Sequence, residues 1–120
     1  MKIKIALTVL AMIGLVATAQ AKEWYEGGTL QKASIEKFLA AKPANQLATV
    51  AEFITGAMTK ETLETTSLDQ LKEAAAEVVE CMKTAPEVFK EMPAKTAHAY
   101  AGMCQLALKK KYPWLVSIMD

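Results

Sequence analysis

Residues 81–104 read "CMKTAPEVFKEMPAKTAHAYAGMC" and begin and end with the two cysteines of the 120-residue chain. Whether they form a reactive couple, a metal site or a clasp decides the architecture. A redox couple more often has close Cys-x-x-Cys spacing. A structural zinc site takes about four ligands, and two cysteines with the single His98 fall short of that. A disulfide between Cys81 and Cys104 is the better reading, provided the chain reaches an oxidising compartment.

The N-terminus supplies that condition. "MKIKIALTVLAMIGLVATAQA" places two lysines before an apolar run from Ile5 to Ala17 and ends in Ala19-Gln20-Ala21. This is the pattern of a secretory signal peptide cleaved after Ala21. The run is shorter than the roughly 20 residues of a membrane-spanning helix. The expectation is a periplasmic or secreted protein without a stable membrane anchor once residues 1–21 are removed. Residues 22–120 then suffice for one domain with a modest core. All 14 basic residues are lysines, two of them in the leader, and the rest nearly balance the 13 carboxylates. Such a charge balance does not favour nucleic acid, and without arginine there is no planar fork for a phosphate.

Apolar spacing in residues 22–120 is helical, with no alternating β-branched run, so the fold class is all-α: a small bundle of four to five short helices. Ser34 caps a first helix with Ile35, Phe38 and Leu39 on its apolar face, and Pro43 suits the start of a second. Leu47, Val50, Ala51, Ile54 and Met58 form one stripe of that second helix. "TKETLETTS" reads as a linker with one helical turn around Leu63. Ser67 and Gln70 make a capping box for a long helix with the stripe Leu68, Leu71, Ala75, Val78, Val79 and Met82. Thr84 and Glu87 suggest a second box opening a short helix from about Ala85 to Glu91, with Pro93 ending it. A last helix is expected from about Ala94, with lysines in its final turn and Pro113 stopping it. Two antiparallel helices joined this way bring Cys81 and Cys104 together. Closing a loop of roughly 24 residues contributes about 3 kcal/mol in the chain-entropy model.

The chain is poor in catalytic patterns. His98 has no marked partners. Ser34 and Ser67 read as caps, and Ser117 lacks a nucleophile elbow. Gly27-Gly28 lacks the pattern of a phosphate loop and reads as a turn. Asp69, Glu73, Glu77 and Glu80 share a side of the long helix, which reads as a solvated face. No cofactor or metal site is expected, and the composition argues against an enzyme. Trp24-Tyr25 and Tyr112-Pro113-Trp114 stand outside the stripes. They either cover the bundle or form a recognition patch; in the second case Trp114 is the preferred anchor and Trp24 the next.

The stretch "SLDQLKEAAAEVVECMKTAPEVFKEMPAKTAHAYAGMCQLALKKKYPW" resembles the periplasmic immunity proteins that neutralise type VI secretion amidase effectors. The likeness lies in the polar-capped "LDQL" start, the Pro-Glu after that helix, the "A…AL" of the last helix and the aromatic-Pro ending. "AEFITGAM" is similar to the aromatic-Ile-x-Gly segment of the same group. "AEVVECMKTAPEVF" is similar to the cysteine-bearing helix of the HdeA-like acid-stress chaperones. Members of the immunity group commonly carry cysteines in the first helix and directly after the final proline, where this chain has "ASIEKF" and Trp114. The resemblance implies a non-catalytic protein-binding domain that inhibits a secreted cell-wall amidase. The alternative it implies is a periplasmic holdase. A second copy of the chain is a further candidate partner.

Overall fold

The computed structural model describes residues 23–92 and 94–115. The expected signal peptide, Pro93 and Ser117 lie outside them. The helices are α1 (Ile35–Ala40), α2 (Pro43–Ala57), α3 (Lys60–Thr65), α4 (Leu68–Val88) and α5 (Ala97–Ala107). The fold is the expected all-α bundle. No helix among the described residues is long and apolar enough to cross a membrane.

Helix α4 is the axis of the bundle, packing against α2 on one side and α5 on the other. Ser67 and Gln70 form the expected capping box at its head. Its buried stripe is Leu71, Ala74, Ala75, Val78, Val79, Met82 and Ala85. Small alanines at three of these positions let neighbouring helices approach closely. Val50 and Ile54 of α2, Phe38 of α1 and Ala101 of α5 complete the core with no solvent exposure. Each large apolar side chain buried this way contributes about 1.5–3 kcal/mol.

Several features differ from the sequence expectation. The short helix from Ala85 does not form, because α4 continues through Pro86 to Val88. Thr84 does not cap a new helix; its hydroxyl donates to the Cys81 carbonyl at 3.1 Å. The proline removes one helical hydrogen bond. Continuing the helix nevertheless buries Ala85 in the core stripe and closes a 2.7 Å bond from Phe89 N to Ala85 O. Leu68 does not join the stripe: it is the first residue of α4 and is 52% exposed.

The third difference is the start of α5, at Ala97 and not near Ala94. Ser34 and Thr96, the N-caps of α1 and α5, pair in an isolated antiparallel bridge. Ile35 N donates to Lys95 O at 2.8 Å, and Ala97 N donates to Ala33 O at 2.9 Å. Each helix thus gives its first free N–H to the carbonyl preceding the other helix's cap, while each cap hydroxyl accepts from its own third residue. Several of the N–H groups that helix starts leave unpaired are satisfied in this way. The same pairing holds the backbone before Ala97 extended. At its other end α5 stops at Ala107, so Lys109, Lys110 and Lys111 fall in the turns beyond it and not in its last turn.

Cys81 and Cys104 are joined with their Cα atoms 5.9 Å apart. Cys104 is fully buried in α5 and Cys81 half-buried on α4. Thiol titration of unfolded, unreduced protein should detect no free thiol. Cys81→Ser should lower the free energy of denaturant unfolding by about 2–5 kcal/mol. Thr96→Ala, read in the same unfolding experiment, should cost about 1 kcal/mol through loss of its cap.

Candidate partner-binding surface

The N-terminal aromatic pair is positioned by a polar stripe that the apolar pattern concealed. Asn45, Thr49 and Glu52 recur at i, i+4 and i+7 of α2, so they share a side of that helix. Thr29 N donates to Asn45 Oδ1 at 2.9 Å, and Asn45 Nδ2 donates to Thr29 Oγ1 at 2.8 Å. Leu30 N donates to Thr49 Oγ1 at 3.3 Å. Gln31 Nε2 donates both to Gly28 O, at 2.7 Å, and to Glu52 Oε1. Gly27 and Gly28 lead the chain from the turn at Trp24 and Tyr25 into this docking. Gly27 has a φ of 82°, which favours glycine, and a Cβ on Gly28 would lie 2.6 Å from Thr49 N. The turn expected at the glycine pair lies just before it, at Trp24 and Tyr25; the positive φ accounts for glycine at 27 and the close approach for glycine at 28.

In this turn, Trp24 and Tyr25 pack edge to face, with ring centroids 5.4 Å apart. Lys72 of α4 holds its ammonium 5.8 Å from the Trp24 ring centre, a cation–π arrangement. Tyr25 borders a cleft of about 270 Å³ whose other walls are Thr55, Met58, Leu63, Thr66, Leu68 and Leu71. Leu63 and Leu68 are 44% and 52% exposed. The segment read as a linker forms α3, which carries Leu63 to this cleft. Thr59 caps it by accepting from Thr62 N.

The C-terminal pair is held differently. Tyr112 is 7% exposed and Leu115 is fully buried, so this end folds back over the bundle. The Tyr112 hydroxyl donates to Glu77 Oε2, and Lys111 Nζ donates to the same oxygen at 2.6 Å. Trp114 is half-buried and lies edge-on to Tyr112, with centroids 5.8 Å apart. Tyr112 is committed within the chain, and Trp114 is the member of the pair that keeps surface. Both pairs rest on α4, at Lys72 and Glu77.

Glu77 is thus no part of a purely solvated acidic face. The hydrogen bond from Lys111, with that from Tyr112, holds its carboxyl below the usual carboxylate range. Lys111 is raised in turn by its bond to Glu77. Burial, then the bond to Glu77, pushes the Tyr112 hydroxyl up to about 12. Asp69, Glu73 and Glu80 are exposed, and Glu80 pairs with Lys83 at 2.7 Å. Among the described residues no group of three or more His, Cys, Asp or Glu side chains could hold a metal. His98 is exposed, with its ring edge-on to Phe53 at 5.0 Å. Ser34 and Ser67 are helix caps.

No protein-family model, curated protein or solved structure matches the chain.

A carboxylate whose folded-state pKa is depressed contributes stability above its unfolded value and loses it as pH falls through the folded one. Glu77→Gln should therefore be less stable than the parent at about pH 7, and the gap should narrow towards about pH 3. Denaturant midpoints at the two pH values measure this. A gap that stays constant would mean that the carboxylate's charge does not hold the C-terminal fold-back.

Proposed function

We propose that the domain is a non-catalytic protein-binding module that engages its partner at the cleft formed by Tyr25, Met58, Leu63 and Leu68, flanked by Trp24. The observation that carries this reading is the juxtaposition of two large, substantially exposed leucines with a tyrosine at one concave site. Exposed apolar surface gathered in a cleft has more to gain from a partner than the same residues scattered singly. The short capped helix α3, the capped head of α4 and a disulfide-tied bundle hold the surface in one shape, which suits tight recognition of one protein. Trp114 is a second anchor, half-buried and braced by Tyr112.

The resemblance to the type VI amidase-immunity group gives the partner class: a secreted cell-wall amidase effector, inhibited in the periplasm. A holdase of the HdeA-like kind is the second reading. It draws support from the Glu77 contact with Lys111 and Tyr112, because protonating Glu77 weakens the hold on the C-terminal segment and loosens its cover over the core.

Binding to purified amidase effectors, followed by calorimetry and by hydrolysis of peptidoglycan, tests the first reading. The double variant Leu63→Ala/Leu68→Ala should bind about tenfold or more weakly with its melting temperature nearly unchanged. Trp114→Ala should also weaken binding, by about 2 kcal/mol. If Trp114→Ala instead lowers the melting temperature sharply and spares affinity, Trp114 is a lid on the core. If no effector binds, and the protein suppresses client aggregation only at about pH 2–3 while losing near-UV dichroism, the holdase reading replaces the inhibitor.

A further inference from the structure

A second concave site lies at the other end of α4 and is independent of the partner-binding reading. It is a cavity of about 510 Å³ lined by Ser34, Ile35, Glu36 and Leu39 of the α1 region, Pro86, Lys90, Lys95 and Tyr100. That volume falls in the range of small-molecule sites, roughly 300–1,000 Å³. Its existence follows from the fold's two departures from expectation. Continuing α4 through Pro86 carries that ring to the cavity, and the Ser34–Thr96 bridge sets the starts of α1 and α5 beside it.

The lining divides by chemistry. Ile35, Leu39, Pro86 and the Tyr100 ring are apolar, and the charged residues of the lining are two lysines, Lys90 and Lys95, and one carboxylate residue, Glu36. Neither lysine is in an ion pair among the described residues, and Lys95 Nζ donates to Lys90 O at 3.0 Å. Tyr100 supplies the independent observation. The residue is 1% exposed, yet its hydroxyl makes no hydrogen bond among the described residues. Nor is that hydroxyl among the polar atoms sealed without a partner inside the protein. The hydroxyl therefore keeps a trace of solvent contact, and the residue that carries it lines the cavity. A tyrosine so deeply placed ordinarily finds an acceptor for its O–H.

We infer that this cavity is a binding site for a small aliphatic carboxylate. The alkyl body covers Ile35, Leu39 and Pro86, and the carboxylate takes hydrogen bonds from the Lys90 and Lys95 ammonium groups and from the Tyr100 hydroxyl. A carboxylate accepts from several donors at once, and charge-assisted bonds of this kind are the stronger ones. Glu36 works against the anion and limits affinity.

The probe is sodium decanoate, titrated below its micelle-forming concentration into the isotopically labelled protein and followed by amide chemical shifts. Saturable shifts should centre on Ile35, Leu39, Lys90, Lys95 and Tyr100. 1-Decanol, with the same chain and no charge, should bind about tenfold more weakly. Lys90→Met/Lys95→Met should weaken decanoate by a similar factor, Glu36→Gln should tighten it, and Tyr100→Phe should weaken it several-fold with the amide spectrum otherwise retained. Absence of saturation overturns the proposal, as do equal affinities for decanol and decanoate or shifts centred on Leu63 and Leu68. If the lysine variants do not fold, the decanol comparison and the expected loss of affinity with added salt decide the matter on the parent protein.

Discussion

The constraint on which the rest depends is the bond between Cys81 and Cys104. It sits two turns before the end of α4 and within the second half of α5, with the α4–α5 connection closed between its two sulfurs. A chain of this size has little core to spare, so a constraint that removes loop entropy from the unfolded state is a large share of its stability. The closed loop also has a fixed outer edge. Thr96, near its far end, pairs with Ser34, so the covalent link ties α5 to α4 and the backbone bridge ties it to α1. The cavity between them is consequently a product of the clasp as much as of the side chains that line it.

What the sequence made legible was whatever depended on period and cap chemistry. The stripe from Leu71 to Met82, the Ser34 and Ser67 caps, Pro43 at the head of α2 and the pairing of the cysteines all rest on local rules that the tertiary structure respects. The misses arise where a non-local term outweighed a local one. Pro86 and a plausible Thr-x-x-Glu box argued for a new helix, but the apolar period runs on to Ala85 and its burial favours one continuous helix. Leu68 fits the period yet lies beyond the core, because being in phase says nothing about whether a neighbour reaches that far along the axis. The Ser34–Thr96 bridge joins residues 62 positions apart by backbone atoms alone, and no residue type announces such a pairing.

The candidate sites divide in the same way. Trp24, Tyr25 and Trp114 were noticed because they escaped the helical stripes, a signal of composition. Their partners were not. Glu77 read as one member of an acidic face, and only the return of the C-terminal segment gives it Lys111 and Tyr112. Asn45, Thr49 and Glu52 carried a usable signal, a hydrogen-bonding residue at each of i, i+4 and i+7 opposite a glycine pair. A reading tuned to apolar stripes passes over it, since the same spacing on a polar face is usually solvated.

The geometry of α4 bears on how the two concave sites relate. Leu68 lines the cleft proposed for a partner and Pro86 the cavity proposed for a carboxylate, and 18 residues at about 1.5 Å each put them roughly 27 Å apart along one helix. Between them the helix is pinned by its core stripe and by the disulfide at Cys81. A rigid element with a single arrangement passes no preference from one end to the other; coupling needs an element with two arrangements that both sites bias. The segment on α4 with a titratable hold is the C-terminal fold-back at Glu77, which lies between the two sites. Protonation of Glu77 would remove the charge that Lys111 contacts, so the fold-back is the place on α4 where a second arrangement would have to be sought.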